Sequence, residues 1–292
     1  MTEARLAELT AVASVLHQAR TILAAAGCDT PDLDAEVLLG HVLQCSRAWL
    51  YAHPTHPLDP EQLTTYQALI RRRAAREPVA YLTGHKEFFG LDFLVTPDVL
   101  IPRPETESLV ELVLERVAQR GHPMLAADVG TGSGAIAVSL AVHLPHIKII
   151  ACDISAPSLA VARHNAIRHQ VEPRMFCVQA DLLPTCAATF DLIVANPPYL
   201  RQAELDAAPP EVAHWEPRQA LDGGDDGLAV IRRLLAMAAP RLHPSGMLAV
   251  EIGAGQGSQV LELARRWFPH ARIEVRRDYA GLERILAVDQ LA

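Results

Sequence analysis

The chain has 292 residues, of which 50% are hydrophobic, and a formal net charge of −8 at pH 7. This length and composition provide for one large α/β domain with a smaller partner, and the acidic balance argues against a protein whose main partner is a nucleic-acid backbone. The N-terminus lacks the basic head and apolar core of a signal peptide, and no apolar run reaches the roughly 18 residues that a membrane helix needs. We therefore expect a soluble, cytoplasmic protein with no membrane partner.

The five cysteines form no CxxC pair and have no histidine at zinc spacing, so they are interpreted as reduced, buried thiols. Thirteen histidines are present, and His53 and His56 lie close together, but both flank prolines in a turn. No metal site is predicted.

Residues 1–76 predict a small helical domain. Apolar residues recur at helical spacing over residues 3–26, and a second helix is expected after Thr30 as N-cap, with Pro31 at its first position. A short segment follows near 46–51, then a turn-rich break, and a further helix is expected near 60–76. The helix expected near 60–76 ends in a cluster of arginines, and cations at a helix C-terminus favour a solvated helix face. The alternative is a contact with an anionic partner such as RNA. The arginines are Arg71, Arg72, Arg73 and Arg76.

Residues 77–107 predict a hairpin-like linker, because short apolar runs are broken by glycine and proline. Prolines around Arg103 stiffen its end, and a helix is expected from Glu105 to about Gln119. The linker holds three of the six phenylalanines of the chain. Since exposing them would be costly, we expect it to pack over the functional site.

Residues 108–292 alternate between strand and helix patterns, which is typical of a doubly wound α/β domain. The connection between the last two strands, over residues 278–282, is too short for a crossover helix, so these strands should form an antiparallel hairpin. Helices are expected near 133–144, 156–169, 226–240 and 256–267. The seven expected strands lie near 124–130, 148–153, 174–179, 190–195, 247–252, 271–276 and 284–289.

A glycine-rich turn joins the first of these strands to a helix. Asp128 is followed by glycines at 130, 132 and 134, which let a ligand approach the backbone, and the helix N-terminus offers unpaired N–H groups. The spacing departs from the dinucleotide pattern G-x-G-x-x-G, and Asp128 would repel a pyrophosphate but attract the ammonium of a methionine moiety. The predicted cofactor-binding residues here are Asp128, Gly130, Thr131, Gly132, Ser133 and Gly134.

Acids also follow the next two strands. Asp153 lies 19 residues past Gly134, where it is placed to accept hydrogen bonds from ribose hydroxyls. Asp181 and Leu182 end the third strand and would meet the adenine amine and ring. Each acid alone could equally be a helix N-cap, but acids at three successive strand ends favour a cofactor site.

The sequence Asn196-Pro197-Pro198-Tyr199 ends an apolar strand. The two prolines keep the backbone extended at a strand end, which is where open α/β sheets bind ligands. The Asn196 side-chain oxygen and a proline carbonyl form an acceptor pair for an NH2 group, and Tyr199 can stack on a planar amide or base. The motif predicts a grip for a flat, NH2-bearing substrate; the alternative is an ordinary strand-ending turn.

Together these residues resemble the Asn-Pro-Pro-Tyr class of amino-methyltransferases and, within it, the release factor glutamine N5-methyltransferases (PrmC/HemK family). The resemblance spans the whole chain and includes the helical N-terminal layout. It implies a Rossmann-like class I methyltransferase fold with a seven-stranded sheet and an antiparallel last hairpin, preceded by a small helical-bundle domain. The closest matching stretches are 81–91, 99–107, 128–137, 196–199 and 277–279.

The resemblance implies S-adenosyl-L-methionine as the cofactor. The substrate would be the glutamine in the Gly-Gly-Gln motif of class I peptide chain release factors, methylated on its side-chain nitrogen, with residues 1–76 helping to hold the factor and residues 108–292 binding the cofactor. Asn196, Pro197 and Tyr199 would be catalytic, Pro198 would join them in binding the substrate, and Asn196 would also contact the cofactor. Leu182 departs from the aromatic residue of some relatives.

Three alternatives stay open. A ribosomal-protein glutamine methyltransferase would share the catalytic domain and differ mainly in its N-terminal part. An adenine-N6 DNA methyltransferase grips an exocyclic amine similarly but needs base flipping and a basic groove, so no direct nucleic-acid substrate is expected. A cofactor-binding interaction protein that has lost catalysis would be expected to have eroded Asn196 or the glycines.

Overall fold

The computed structural model describes residues 10–117, 124–185 and 188–290. Contacts divide the chain into a helical unit, Met1–Gly84 with Pro210–Trp215, and a sheet unit, His85–Pro209 with Glu216–Ala292. The functional division predicted at residues 76 and 107 stays a prediction.

The helices of the helical unit pack around a core that includes the buried side chains of Leu23, Leu38 and Tyr66. Thr30 occupies the N-cap position before Pro31, as predicted, but its hydroxyl makes no capping hydrogen bond and donates instead to the Asp34 carboxylate at 2.8 Å. The helices are α1 Val12–Ala25, α2 Pro31–Leu43, α3 Arg47–Ala52, α4 Pro60–Ala74 and α5 Val79–Thr83, together with the return helix Pro210–Trp215.

Of the arginines at the end of α4, Arg71 and Arg72 are exposed, as the predicted solvated face requires, but Arg73 and Arg76 are not. Arg73 is buried; its Nε donates to Asp34 at 2.7 Å and its Nη1 to Glu211 of the return helix at 2.8 Å. Arg76 donates to the second Glu211 oxygen at 2.7 Å. Burial acts to raise the pKa of Glu211, but the hydrogen bonds from Arg76 and Arg73 lower it overall. A residue distant in sequence therefore neutralises these cations.

The sheet unit begins with a hairpin and continues as an alternation of strands and helices, as predicted. Its elements are β1 His85–Phe88, β2 Leu91–Leu94, α6 Pro104–Val117, β3 Met124–Val129, α7 Ala135–His143, β4 Ile147–Asp153, α8 Ala156–Arg168, β5 Met175–Gln179, β6 Phe190–Ala195, α9 Gln202–Asp206, α10 Ala229–Ala238, β7 Leu242–Glu251, α11 Gly257–Trp267, β8 Arg272–Arg277 and β9 Glu283–Asp289.

Seven strands form one sheet in the order β5-β4-β3-β6-β7-β9-β8. Neighbours from β5 to β7 are parallel, and β9 is antiparallel to both β7 and β8. The predicted seven-stranded sheet with an antiparallel last hairpin is confirmed. β7 starts earlier than predicted, because Leu242 already pairs with Phe190 across a register shift.

Both faces of the sheet are covered. In β6, Leu192 and Val194 belong to one hydrophobic cluster, while Ile193 and Ala195 belong to the cluster on the other face. A strand that is buried on both faces is apolar at successive positions. This explains why polar and apolar residues do not alternate in β6 before Asn196.

The linker reaches the cavity described below through residues 98–100, but its phenylalanines pack into the core instead of over the site. Phe88 and Phe93 are buried in the cluster that includes residues of α6 and α7, with ring centroids 6.1 Å apart. The buried Asn165 of α8 hydrogen-bonds both backbone groups of Leu94, at 2.8 and 3.0 Å. These contacts attach the β1–β2 hairpin to the sheet unit.

Candidate active site

Polar residues line up along the carboxyl edge of the parallel strands. The strand order places them in one row, because the carboxyl ends of parallel strands meet at the same edge. From β5 to β7 the row is Asp181, Asp153, Asp128, Asn196 and Glu251.

The chain order reverses between β3 and β6, which makes this point the topological switch of the sheet. A Cβ placed on Gly130 would lie 3.9 Å from the Asn196 carbonyl oxygen, so the glycine turn and the Asn-Pro-Pro-Tyr motif are neighbours. A cavity of ≈ 380 Å³ opens there. Its wall includes the predicted site residues Gly130, Gly132, Asp153, Asp181, Leu182, Asn196 and Pro198, together with Asp98, Val99 and Leu100 of the linker.

Asp128 organises the glycine turn from beneath. Its Oδ2 accepts hydrogen bonds from the Thr131 hydroxyl at 2.7 Å and from the Ala137 N–H of α7 at 3.2 Å. Within the described part of the chain, Oδ1 is buried and has no hydrogen-bond partner. Burial raises the pKa of Asp128 to about 7, and the nearby charge of Asp153 adds to the rise. Thr131, Ser133 and Gly134 are buried behind this turn.

The two outer acids differ in their partners. Asp153 accepts backbone N–H groups of Gly132 and Ser155, both at 2.9 Å. Asp181 is exposed and forms an ion pair with Arg233 at 2.6 Å. Both carboxylates therefore border the cavity while already holding a partner.

The Asn-Pro-Pro-Tyr motif is anchored by groups outside it. Asn196 Nδ2 donates to Thr106 Oγ1 at 3.1 Å, and the Tyr199 hydroxyl donates to Glu251 Oε1 at 3.3 Å. Pro197 is buried. Burial raises the pKa of Tyr199 far above its usual range, so the ring carries a neutral hydroxyl.

Sequence reasoning missed Thr106 and Glu251. Glu251 ends β7, so the rule that found the three acids could have found it as well. Sequence reasoning also missed the glycines of residues 222–227. A Cβ on Gly223 would lie 2.7 Å from the Tyr199 Cα, and a Cβ on Gly227 would lie 2.4 Å from the Tyr199 carbonyl oxygen. The glycine cluster in Asp-Gly-Gly-Asp-Asp-Gly was the available signal.

The described residues contain neither a metal-binding cluster nor a membrane-spanning helix. No group of three or more His, Cys, Asp or Glu side chains there is placed to hold a metal ion. None of the helices in that part of the chain is long and apolar enough to cross a membrane.

Comparison with known proteins identifies the family. Two family models match, the PrmC N-terminal domain over residues 14–84 and the Methyltransferase small domain over residues 106–213. The release factor glutamine methyltransferase of Moorella thermoacetica is 47% identical, with 92% of this chain and 95% of that protein covered. That of Geobacter sulfurreducens is 44% identical, with 89% and 90% covered.

Among solved structures, a 16S rRNA methyltransferase from T. thermophilus in complex with AdoMet and guanosine has a TM-score of 0.50 and 18% identity, with 71% of this chain and 50% of that chain covered. At this identity it shows the fold alone. The two relatives, by contrast, are similar over nearly their full length and confirm the resemblance seen in the motifs. The chain therefore belongs to the release factor glutamine methyltransferase family.

Proposed function

We propose that this protein is a protein-(glutamine-N5) methyltransferase that uses S-adenosyl-L-methionine and acts on the Gly-Gly-Gln glutamine of class I peptide chain release factors. The observation that carries the proposal is the place of Asn196 beside Gly130, at the switch point of the sheet and on the wall of one cavity. A substrate amide held by Asn196 and a cofactor held by the glycine turn would meet there. Because release factors act in translation, the protein would work in the cytoplasm.

The groups around the cavity fit S-adenosylmethionine, which supplies an electrophilic methyl group when bound. Asp128 Oδ1, unpartnered among the described residues, would pair with the ammonium. Among these residues nothing lies within 4 Å of a Cβ built on Gly132, so a ligand can approach its backbone closely. Asp153 would accept the ribose hydroxyls, and Asp181 and Leu182 would face the adenine.

The proposed chemistry of the substrate side depends on holding an amide nitrogen. This nitrogen is a poor nucleophile because its lone pair is delocalised into the carbonyl group. Asn196 Oδ1 and the Pro197 carbonyl oxygen would each accept one N–H, which directs the lone pair toward the methyl donor. Catalysis would then be positioning and electrostatic stabilisation. No strong base is needed, because the methylated nitrogen becomes acidic and loses its proton afterwards.

Tyr199 and Pro198 would close the substrate site. Tyr199 would stack on the planar amide and exclude water, and its bond to Glu251 supports this role because it holds the ring in one place. Pro198 lines the cavity and would bound the space left for the glutamine side chain.

The test is methyl transfer from labelled S-adenosylmethionine to purified class I release factor, with ribosomal protein and duplex DNA as competing acceptors. We expect label on the Gly-Gly-Gln glutamine and its loss in Asn196→Ala. Label on ribosomal protein or DNA alone would overturn the proposed substrate. Cofactor binding without transfer to any acceptor would instead indicate an interaction protein.

A further inference from the structure

The amide of Asn196 has two ends of similar shape and opposite hydrogen-bonding character. The proposed grip works only when the oxygen faces the substrate, since an NH2 group there would meet the substrate N–H groups donor to donor. Asn196 Nδ2 donates to Thr106 Oγ1 at 3.1 Å. The orientation of this amide therefore depends on what Thr106 offers to it.

Thr106 can offer Asn196 only an acceptor. A hydroxyl group has one proton, and Thr106 Oγ1 lies 2.6 Å from Glu251 Oε2, where both residues are buried. The Thr106 hydroxyl donates this proton to Glu251 Oε2. The lone pairs of Oγ1 are left for Asn196, which must turn its NH2 group to Thr106 and its oxygen away from it.

Both oxygens of the Glu251 carboxyl group accept hydrogen bonds from hydroxyl groups. Its second oxygen accepts from the Tyr199 hydroxyl at 3.3 Å. Burial raises the pKa of Glu251 above its usual range, and the hydrogen bond from Thr106 and the charge of Arg284 offset only part of that rise. Arg284 is itself fixed by Asp278 at 3.0 Å. One carboxylate thus contacts both Tyr199 and the residue that holds Asn196.

We propose that Thr106 and Glu251 are positioning residues that fix the Asn196 amide with its oxygen toward the substrate. The inference rests on the proposed function, in which that oxygen accepts an N–H of the substrate glutamine. It also assigns a role to the Pro-Glu-Thr-Glu start of α6, one of the stretches that carry the family resemblance: the helix start places the Thr106 hydroxyl between β6 and β7.

We call the hydrogen bonds that connect Glu251, Thr106 and Asn196 the relay. Thr106→Val tests it because this substitution keeps the shape of the side chain and removes the hydroxyl. Because the variant loses the hydrogen bond that positions the Asn196 amide, kcat for release-factor methylation should fall about 10-fold, while KM for the factor and Kd for S-adenosylmethionine stay within about two-fold. Thr106→Ser, the matched control, restores the hydroxyl and should recover most of the lost kcat.

Glu251→Met removes the acceptor, and Arg284 keeps its ion pair with Asp278 in this variant. It should lower kcat by a similar factor. Because both substitutions interrupt one relay, the double variant Thr106→Val with Glu251→Met should be no slower than the slower single variant. Circular dichroism and calorimetric cofactor binding show whether each variant is folded.

An unchanged kcat in folded Thr106→Val or folded Glu251→Met would overturn the relay. So would an equal loss in the Ser and Val variants, or losses that multiply in the double variant. A wild-type protein that does not methylate the factor, or an Asn196→Ala variant with full kcat, would overturn the proposed function and the relay with it.

Discussion

Asp128 provides a stability test that needs no substrate. Its pKa is raised from 3.8 to about 7 in the folded protein, so the folded state binds a proton that the unfolded chain has already released between these pH values. The free energy of unfolding must therefore fall as the pH rises through this window and level off above it. One pKa unit corresponds to about 1.4 kcal/mol. The titration of Asp128 should therefore lower the free energy of unfolding by about 2 kcal/mol between about pH 5.5 and 8.

Asp128→Asn removes this titration and keeps an oxygen that can accept from Thr131 and Ala137. The variant should lack the loss of stability that Asp128 gives the wild type. The difference in free energy of unfolding, variant minus wild type, should therefore rise by about 2 kcal/mol between about pH 5.5 and 8. The assay is urea denaturation without cofactor, followed by fluorescence and circular dichroism and used where both transitions coincide. Ser139→Ala, which trims a buried hydroxyl and adds no titrating group, is the control and should parallel the wild type. Parallel curves for Asp128→Asn and the wild type would refute the reasoning.

Three further predictions concern the sheet unit. Gly227→Ala should lower kcat at least about 10-fold with cofactor affinity retained, because the added Cβ would lie 2.4 Å from the Tyr199 carbonyl oxygen at a φ of +73°; wild-type kinetics would contradict this. Arg103→Met should lower the free energy of unfolding by about 3 kcal/mol, because it leaves the buried Glu216 unpaired, and adding Glu216→Leu should recover most of that loss in urea denaturation. Cofactor binding at about pH 6 should release a proton from Asp128. Calorimetry in two buffers of different ionisation enthalpy measures this proton release, and an equal release from Asp128→Asn would contradict the pairing of Asp128 with the cofactor ammonium.

The parts of the fold that follow local rules were predictable. Strand patterns and the short 278–282 connection were sufficient for the sheet and its last hairpin, and the acids of the site were found because they follow strands. β7 was predicted too short: residues such as Pro244, Ser245 and Gly246 favour turns, yet in the structure the pairing continues across a bulge to Leu242.

Contacts between residues far apart in sequence were not predictable in the same way. Arg73 looked like a surface cation because its partner Glu211 lies 138 residues later, and no periodic pattern records such a pairing. Thr106 lay inside a stretch that had been noticed only for its resemblance. Its chemistry became visible when the sheet placed β6 and β7 side by side, which brought Asn196 and Glu251 within its reach.

The return helix has a consequence for how this chain can be divided. A truncation that removes residues 1–84 would not leave the sheet unit alone. The six residues Pro210–Trp215 of the helical unit would stay in the truncated chain, and Glu211 would lose both of its arginines. Exchanging the N-terminal region between related enzymes must therefore transplant two separate stretches of sequence, and a chimera that moves only the first leaves an acidic residue without its cations.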